Sequence, residues 1–158
     1  MKKIAALLIT CCFITNIIVA QNTPCALSSD SDEKEVRKVV ENFVKGIDLQ
    51  DGDQILKTFY EGSSLNAFAP DGKKIITLPA RQFAQMHQDK KFGGQNRELK
   101  ISELSVTDGL QASASVDAFN EKVFYKYRLT LIKQDGKWLI LSMMQRSRLQ
   151  TKEAKEGS

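Results

Sequence analysis

Histidine occurs once in this chain, at position 87, and tryptophan once, at position 138. Of three cysteines, Cys11 and Cys12 sit near the start and only Cys25 follows. A transition-metal site draws on several His, Cys or carboxylate ligands, so one His and one late Cys argue against one. No metal and no cofactor is expected. A lone Cys25 closes no internal disulfide, so the fold must be held by its core. A nucleophile activated by a histidine base could use only His87, and no elbow-type motif accompanies it. Charge of one sign is also lacking. The chain has 23 Lys+Arg against 19 Asp+Glu, and losing Lys2 and Lys3 with a leader leaves a net charge of +2. Near neutrality gives no case for a nucleic-acid partner.

Long apolar runs are missing except at the start. Lys2 and Lys3 precede a largely apolar stretch, Ile4 to Val19, and Ala20 offers a small residue for cleavage. This is the pattern of a secretory signal. Thr10, Thr15 and Asn16 interrupt the run, which is short for a stable membrane span. The expected location is periplasmic or secreted. A lipoprotein is the minor alternative, because Thr10 stands before Cys11 where a lipobox needs Gly or Ala. The expected organisation is a signal over 1–20, a polar leader over 21–31, one domain over 32–150 and a polar tail over 151–158. About 120 residues suffice for a single core.

The strongest local pattern runs from Val123 to Arg148, two strand-like segments joined at Asp135-Gly136. Asp-Gly between such segments favours a two-residue type I′ hairpin. Regular pairing then puts Lys133 opposite Trp138, Leu131 opposite Ile140, Leu129 opposite Ser142, Tyr127 opposite Met144 and Tyr125 opposite Arg146. Side chains alternate with period two, so these share one face, the more aromatic one, assigned to the core. The other face carries Ile132, Leu139, Leu141 and Met143, an apolar cluster too large for a sheet face left to water. A homodimer contact, or cover by another part of the chain, would account for it.

Upstream, Val36, Val40, Phe43 and Ile47 mark an amphipathic helix from Asp32 to Gln50, with Asp32 and Glu35 at capping-box spacing. Gly46 is expected to weaken its last turn. A short helix follows over Asp51 to Tyr60, then strands over Ser63–Ala69 and Lys73–Leu78 around Pro70-Asp71-Gly72. A third helix is predicted from Pro79 to Lys90, with Phe83, Met86 and His87 on one face. Gly93-Gly94 reads as a flexible loop. From Arg97 to Asp108 the apolar phase changes between Ile101 and Leu104, the mark of a bulge. Leu110, Ala112, Ala114, Val116 and Ala118 then form a wall of small side chains. The whole predicts an α+β domain, a curved antiparallel sheet wrapping about three N-terminal helices.

Three segments carry a resemblance: EVRKVVENFVKGI (Glu35 to Ile47), DGDQILKTFY (Asp51 to Tyr60) and YRLTLIKQDGKWLI (Tyr127 to Ile140). Over Asp32 to Arg148 the chain resembles the nuclear transport factor 2-like superfamily. Within it, it is most similar to the Putative lumazine-binding family of small exported bacterial proteins. The resemblance implies a cone-shaped fold able to enclose a ligand. Many relatives have a His or Asp after the second helix, as in a Phe-His-Pro stretch, whereas Phe59-Tyr60-Glu61 stands here. The early strand offers Asn66 rather than a carboxylate base, and Asp117 falls on the face opposite the small wall. No catalytic residue is therefore carried over.

Three functions follow as expectations. The first is an exported, non-catalytic domain binding a small apolar or aromatic ligand, lined by Tyr125, Tyr127, Ser142, Met144, Arg146 and His87. The second is a lyase or isomerase of the ketosteroid isomerase or polyketide cyclase type, with His87 or Tyr127 carrying a proton. The third is a dimeric interaction module using Ile132, Leu139, Leu141 and Met143.

Overall fold

The computed structural model describes residues 30–69 and 72–150. The signal, most of the leader including Cys25, the Pro70-Asp71 part of one turn and the tail lie outside the described residues. Three helices precede or interrupt a six-stranded sheet: α1 (Asp30–Leu49), α2 (Gly52–Lys57), β1 (Phe59–Phe68), β2 (Ile75–Pro79), α3 (Ala80–Gln88), β3 (Glu98–Thr107), β4 (Gln111–Phe119), β5 (Val123–Gln134) and β6 (Lys137–Leu149). The strand order is β2-β1-β6-β5-β4-β3. The α+β architecture is as the sequence predicts, but the sheet is mixed. β1 runs parallel to β6, while every other neighbour is antiparallel. No tight turn joins β1 to β6, so nothing local forces them to oppose.

The apolar stripe of α1 does what its spacing implies: Val36, Val40, Phe43, Val44 and Ile47 are all buried. Phe43 sits at the centre, edge-on to Phe59 at 5.6 Å and to Tyr127 at 5.5 Å, a favoured aromatic geometry. Asp32 is not the helix cap, because α1 already starts at Asp30. It is buried, and its Oδ1 accepts from Lys133 Nζ at 2.7 Å and Trp138 Nε1 at 3.1 Å. One carboxylate thus pins the start of α1 to the closed end of the β5–β6 hairpin. Gly46 has a packing role. A Cβ there would meet Ile55 Cγ1 at 3.0 Å, so the missing side chain lets α2 fold back on α1. Asp51 caps α2, accepting from Gln54 N at 2.8 Å. Ala112, Ala114, Val116 and Ala118 are buried, whereas Leu110 is exposed.

Asp135 and Gly136 have φ of 50° and 74°, as a type I′ turn requires. Pairing follows the regular register only as far as Leu131 with Ile140. Beyond it Thr130 meets Ser142, Leu129 meets Met143, Tyr127 meets Gln145 and Tyr125 meets Ser147. Leu141 is an extra residue, a β-bulge. The regular pairings of Leu129, Tyr127 and Tyr125 are therefore corrected by one position, and a one-residue slip reverses every later side chain. The core explains it. Regular alternation would bury Ser142, whereas the bulge buries Met143, 1% exposed, at the same level. The bulge expected in β3 is present, with Ser102 skipped between the Ile101–Val116 and Glu103–Ser115 pairs.

Candidate functional site

The open end of the cone holds a cavity of about 380 Å³. β1 and β2 give it an aliphatic wall, including Leu65, Ala67, Ile76 and Leu78. α3 contributes Phe83, Met86 and His87, and the following loop contributes Phe92, Gly93 and Gln95. β5 and β6 supply Tyr125, Tyr127, Gln145 and Ser147, and Arg97 enters from the start of β3. Such a mostly apolar enclosure with a few polar groups is typical of a small-molecule site. None of the small side chains of β4 lines it.

The 92–94 loop is held in place, contrary to its reading as a flexible Gly-Gly segment. Gln50 Nε2 donates to Phe92 O at 2.8 Å, and Gly94 N donates to Ile47 O at 3.3 Å. Gly93 and Gly94 both have positive φ, and a Cβ on Gly93 would run into the Ile47 carbonyl oxygen. Both the conformation and the close approach call for glycine.

Arg97 organises the polar side of the cavity. Its side chain is 3% exposed. Nε donates to Asp48 Oδ1 at 2.6 Å, and Nη2 lies 2.5 Å from the same oxygen. Nη1 donates to the Tyr127 hydroxyl at 3.0 Å. The guanidinium also sits 5.1 Å from the centre of the Tyr125 ring, which stacks on Tyr127 at 6.0 Å. Nη2 is buried against Asp48 in an ion pair. Burial pushes the Asp48 carboxyl above its ordinary range, against the pull of Arg97. Burial likewise pushes Tyr127 up to about 12, and Arg97 only partly opposes it.

His87 is buried between Phe83, at 4.3 Å between ring centres, and Phe92, at 6.4 Å. Nδ1 lies 2.9 Å from Phe83 O. A carbonyl only accepts, so Nδ1 carries the proton and Nε2 keeps its lone pair. Burial holds the pKa below the ordinary value, helped by the charge on Arg97 and opposed by the Phe83 bond. The imidazole is neutral at neutral pH.

Of the residues singled out in the sequence, Tyr125, Tyr127 and His87 line the cavity. Ser142, Met144 and Arg146 do not, because the bulge turns them outward. Ser142 and Met144 instead border a groove of about 340 Å³ on the outer sheet face, beside Arg128 and Thr130. Arg146 is exposed opposite Lys126. Met143 is in the core, so the outward apolar group shrinks to Ile132, Leu139 and Leu141, the last 37% exposed. Sequence reasoning passed over Arg97 and Asp48. Period two from Leu99 and Ile101 does put Arg97 on the inward face, and Asp48 lies one turn past Val44 on α1. Among the described residues no three His, Cys, Asp or Glu side chains come together as metal ligands, and no helix is long and apolar enough to cross a membrane.

A bent sheet packed over helices, with a cavity at its open end, defines a nuclear transport factor 2-like fold. Solved structures agree. An NTF2-like protein of unknown function from Shewanella baltica OS155 matches with a TM-score of 0.68 and 17% identity, over 77% of this chain and 98% of that one. A cystatin-like domain of unknown function from Nostoc punctiforme PCC 73102 matches with a TM-score of 0.62 and 18% identity, over 81% and 83%. A ketosteroid isomerase-like protein from Erwinia carotovora atroseptica SCRI1043 gives 0.60 and 12%, over 75% and 97%. None of the curated proteins is similar to the chain. The sequence profile described as "Putative lumazine-binding" matches residues 31–145. The chain belongs to that family.

Proposed function

We propose that this protein is an exported, non-catalytic domain that binds a small, largely apolar or aromatic ligand in the open end of the cone. The observation that carries the reading is the cavity itself, of about 380 Å³, with aromatic side chains on two sides and a few polar groups. The family description, which names lumazine binding, points the same way. The proton-transfer alternative has less support. Tyr127 is pushed up to about 12 with its oxygen already accepting from Arg97. Its hydroxyl pairs with Arg97 rather than with His87, and no carboxylate lines the cavity. Export rests on the Lys2-Lys3 start and the apolar Ile4–Val19 run.

The test is to purify the tagged full-length gene product from its native host and identify what it carries. A small aromatic compound is expected in the wild-type extract and not in that of Ala67→Phe, which fills the cavity wall. The same compound in both extracts, or in neither, would overturn the reading. N-terminal sequencing should find Gln21 first, and a cytosolic product retaining Met1 would overturn export. The outward Ile132, Leu139 and Leu141 support a homodimer as a second, compatible reading. Sedimentation of the wild type should give two chains, and a monomer at high micromolar concentration would dismiss it.

A further inference from the structure

We propose that the outer face of the sheet carries a second binding site, a groove that takes a short stretch of an uncharged glycan. The groove lies on the opposite side of the sheet from the cone cavity and does not depend on the ligand-binding reading above.

The strand register builds it. Ser113 pairs with Thr130, Thr130 with Ser142 and Ser142 with Ser64. Paired residues point to the same face, so β4, β5, β6 and β1 set four hydroxyls in one row. At the usual strand spacing the row is about 14 Å long. Beside it Ser115, Arg128, Met144 and Asn66 pair in the same order. The groove of about 340 Å³ is lined by Ser113, Thr130 and Ser142 of the first row and by all of the second.

Three observations identify the guest. The first is Ser115, which lines the groove although only 4% exposed. Its carbonyl accepts from Ser102 Oγ, but among the described residues nothing partners its own hydroxyl. A buried hydroxyl is normally paired, and a guest hydroxyl supplies the partner. The second is charge. The lining holds one cation and one anion, Arg128 and Glu103, with Nη1 and Oε2 3.9 Å apart. They offset each other, so an ionic guest gains no net attraction. The third is the mixture of donors and acceptors. Each hydroxyl can do both, and Thr77 Oγ1 donates to Asn66 Oδ1 at 2.7 Å, which leaves the Asn66 amide N–H groups for a guest. A sugar chain presents hydroxyls that donate and accept at intervals, and the Met144 side chain offers its C–H face an apolar contact.

The test titrates the purified, 15N-labelled gene product with maltotriose, xylotriose, chitotriose and trigalacturonate, read by backbone amide shifts. At least one neutral trisaccharide should shift Ser113, Ser115, Thr130 and Ser142 and leave Phe83 and His87 of the cavity in place. Trigalacturonate should bind more weakly. Thr130→Val and Ser115→Ala each remove one hydroxyl with little change of shape, and each should weaken binding about two- to tenfold. Ala67→Phe, which fills the cone cavity, should bind the sugar as the wild type does, so the two sites fail separately. The proposal is overturned if no neutral trisaccharide shifts the groove residues, if trigalacturonate binds more tightly, or if both hydroxyl variants keep wild-type affinity. Shifts of the same amides on dilution without sugar would make a second copy the occupant and overturn it as well.

Discussion

Replacing Met143 and Met144 by alanine, one at a time, tests the bulge in β6. The two side chains are chemically identical and adjacent, but the structure gives them opposite surroundings. Met143 is 1% exposed and packs in the core, while Met144 is half-buried on the outer face opposite Arg128. Truncating a fully buried methionine removes its transfer free energy and leaves a cavity, a loss of about 2–5 kcal/mol. Truncating an outward, partly solvated one should cost no more than about 1 kcal/mol. With a urea slope of about 1–3 kcal/mol per molar, Met143→Ala should lower the unfolding midpoint by about 1 M or more. Met144→Ala should move it by a few tenths of a molar. Equilibrium urea unfolding followed by Trp138 fluorescence reads both, since Trp138 is buried in the same strand. Regular pairing through Ser142 would reverse the order, because it buries Met144 and exposes Met143. A larger loss for Met144→Ala, or equal losses, therefore refutes the bulge and the assignment of Gln145 and Ser147 to the cavity.

Three further predictions follow from the cavity wall. Arg97→Gln should cost about 3–5 kcal/mol by stranding Asp48, and adding Asp48→Asn should recover much of it. A coupling below about 0.5 kcal/mol in the urea double-mutant cycle would mean that the pair does not act as a unit. His87 titrates below its ordinary value of 6.5 in the fold. The unfolded chain therefore takes up its proton first, and stability falls as pH drops below about 6.5. His87→Gln should flatten that part of the stability–pH curve, and an unchanged slope would show that His87 is not held neutral. Gly93→Ala combines positive φ with a collision at Ile47 O, whereas Gly136→Ala has positive φ with open space around it. The first should cost clearly more than the ~1 kcal/mol expected of the second in the same unfolding assay.

What the sequence disclosed depended on whether neighbouring residues differ in kind. The stripe of α1 was legible because Val36, Val40, Phe43 and Ile47 are separated by charged residues. The β3 bulge was legible because its apolar phase visibly changes between Ile101 and Leu104. The β6 bulge was not, because Leu141-Ser142-Met143-Met144 reads acceptably in either phase. Only burial of Met143 rather than Ser142 decides it, and that depends on the opposing helix layer. Parallel pairing of β1 with β6 has no local signal at all. Arg97 and Asp48 each look like a solvated charge at the end of an element. Their partnership spans 49 positions and exists only once α1 and β3 are packed.

The bulge also determines the electrostatics of the cavity. Without it Met144 and Arg146 would face inward beside Tyr127 and Tyr125, and the cavity would hold an arginine with no carboxylate to match it. With it, Gln145 and Ser147 occupy those places and Arg146 goes to solvent. The charge left in the wall is then Arg97, already balanced by Asp48. A cavity lined by an unmatched arginine would attract anions, whereas one holding a balanced pair, two neutral polar side chains and aromatic rings discriminates by shape and hydrogen-bond placement. One extra residue in a strand thus keeps a second, unmatched arginine out of the cavity wall.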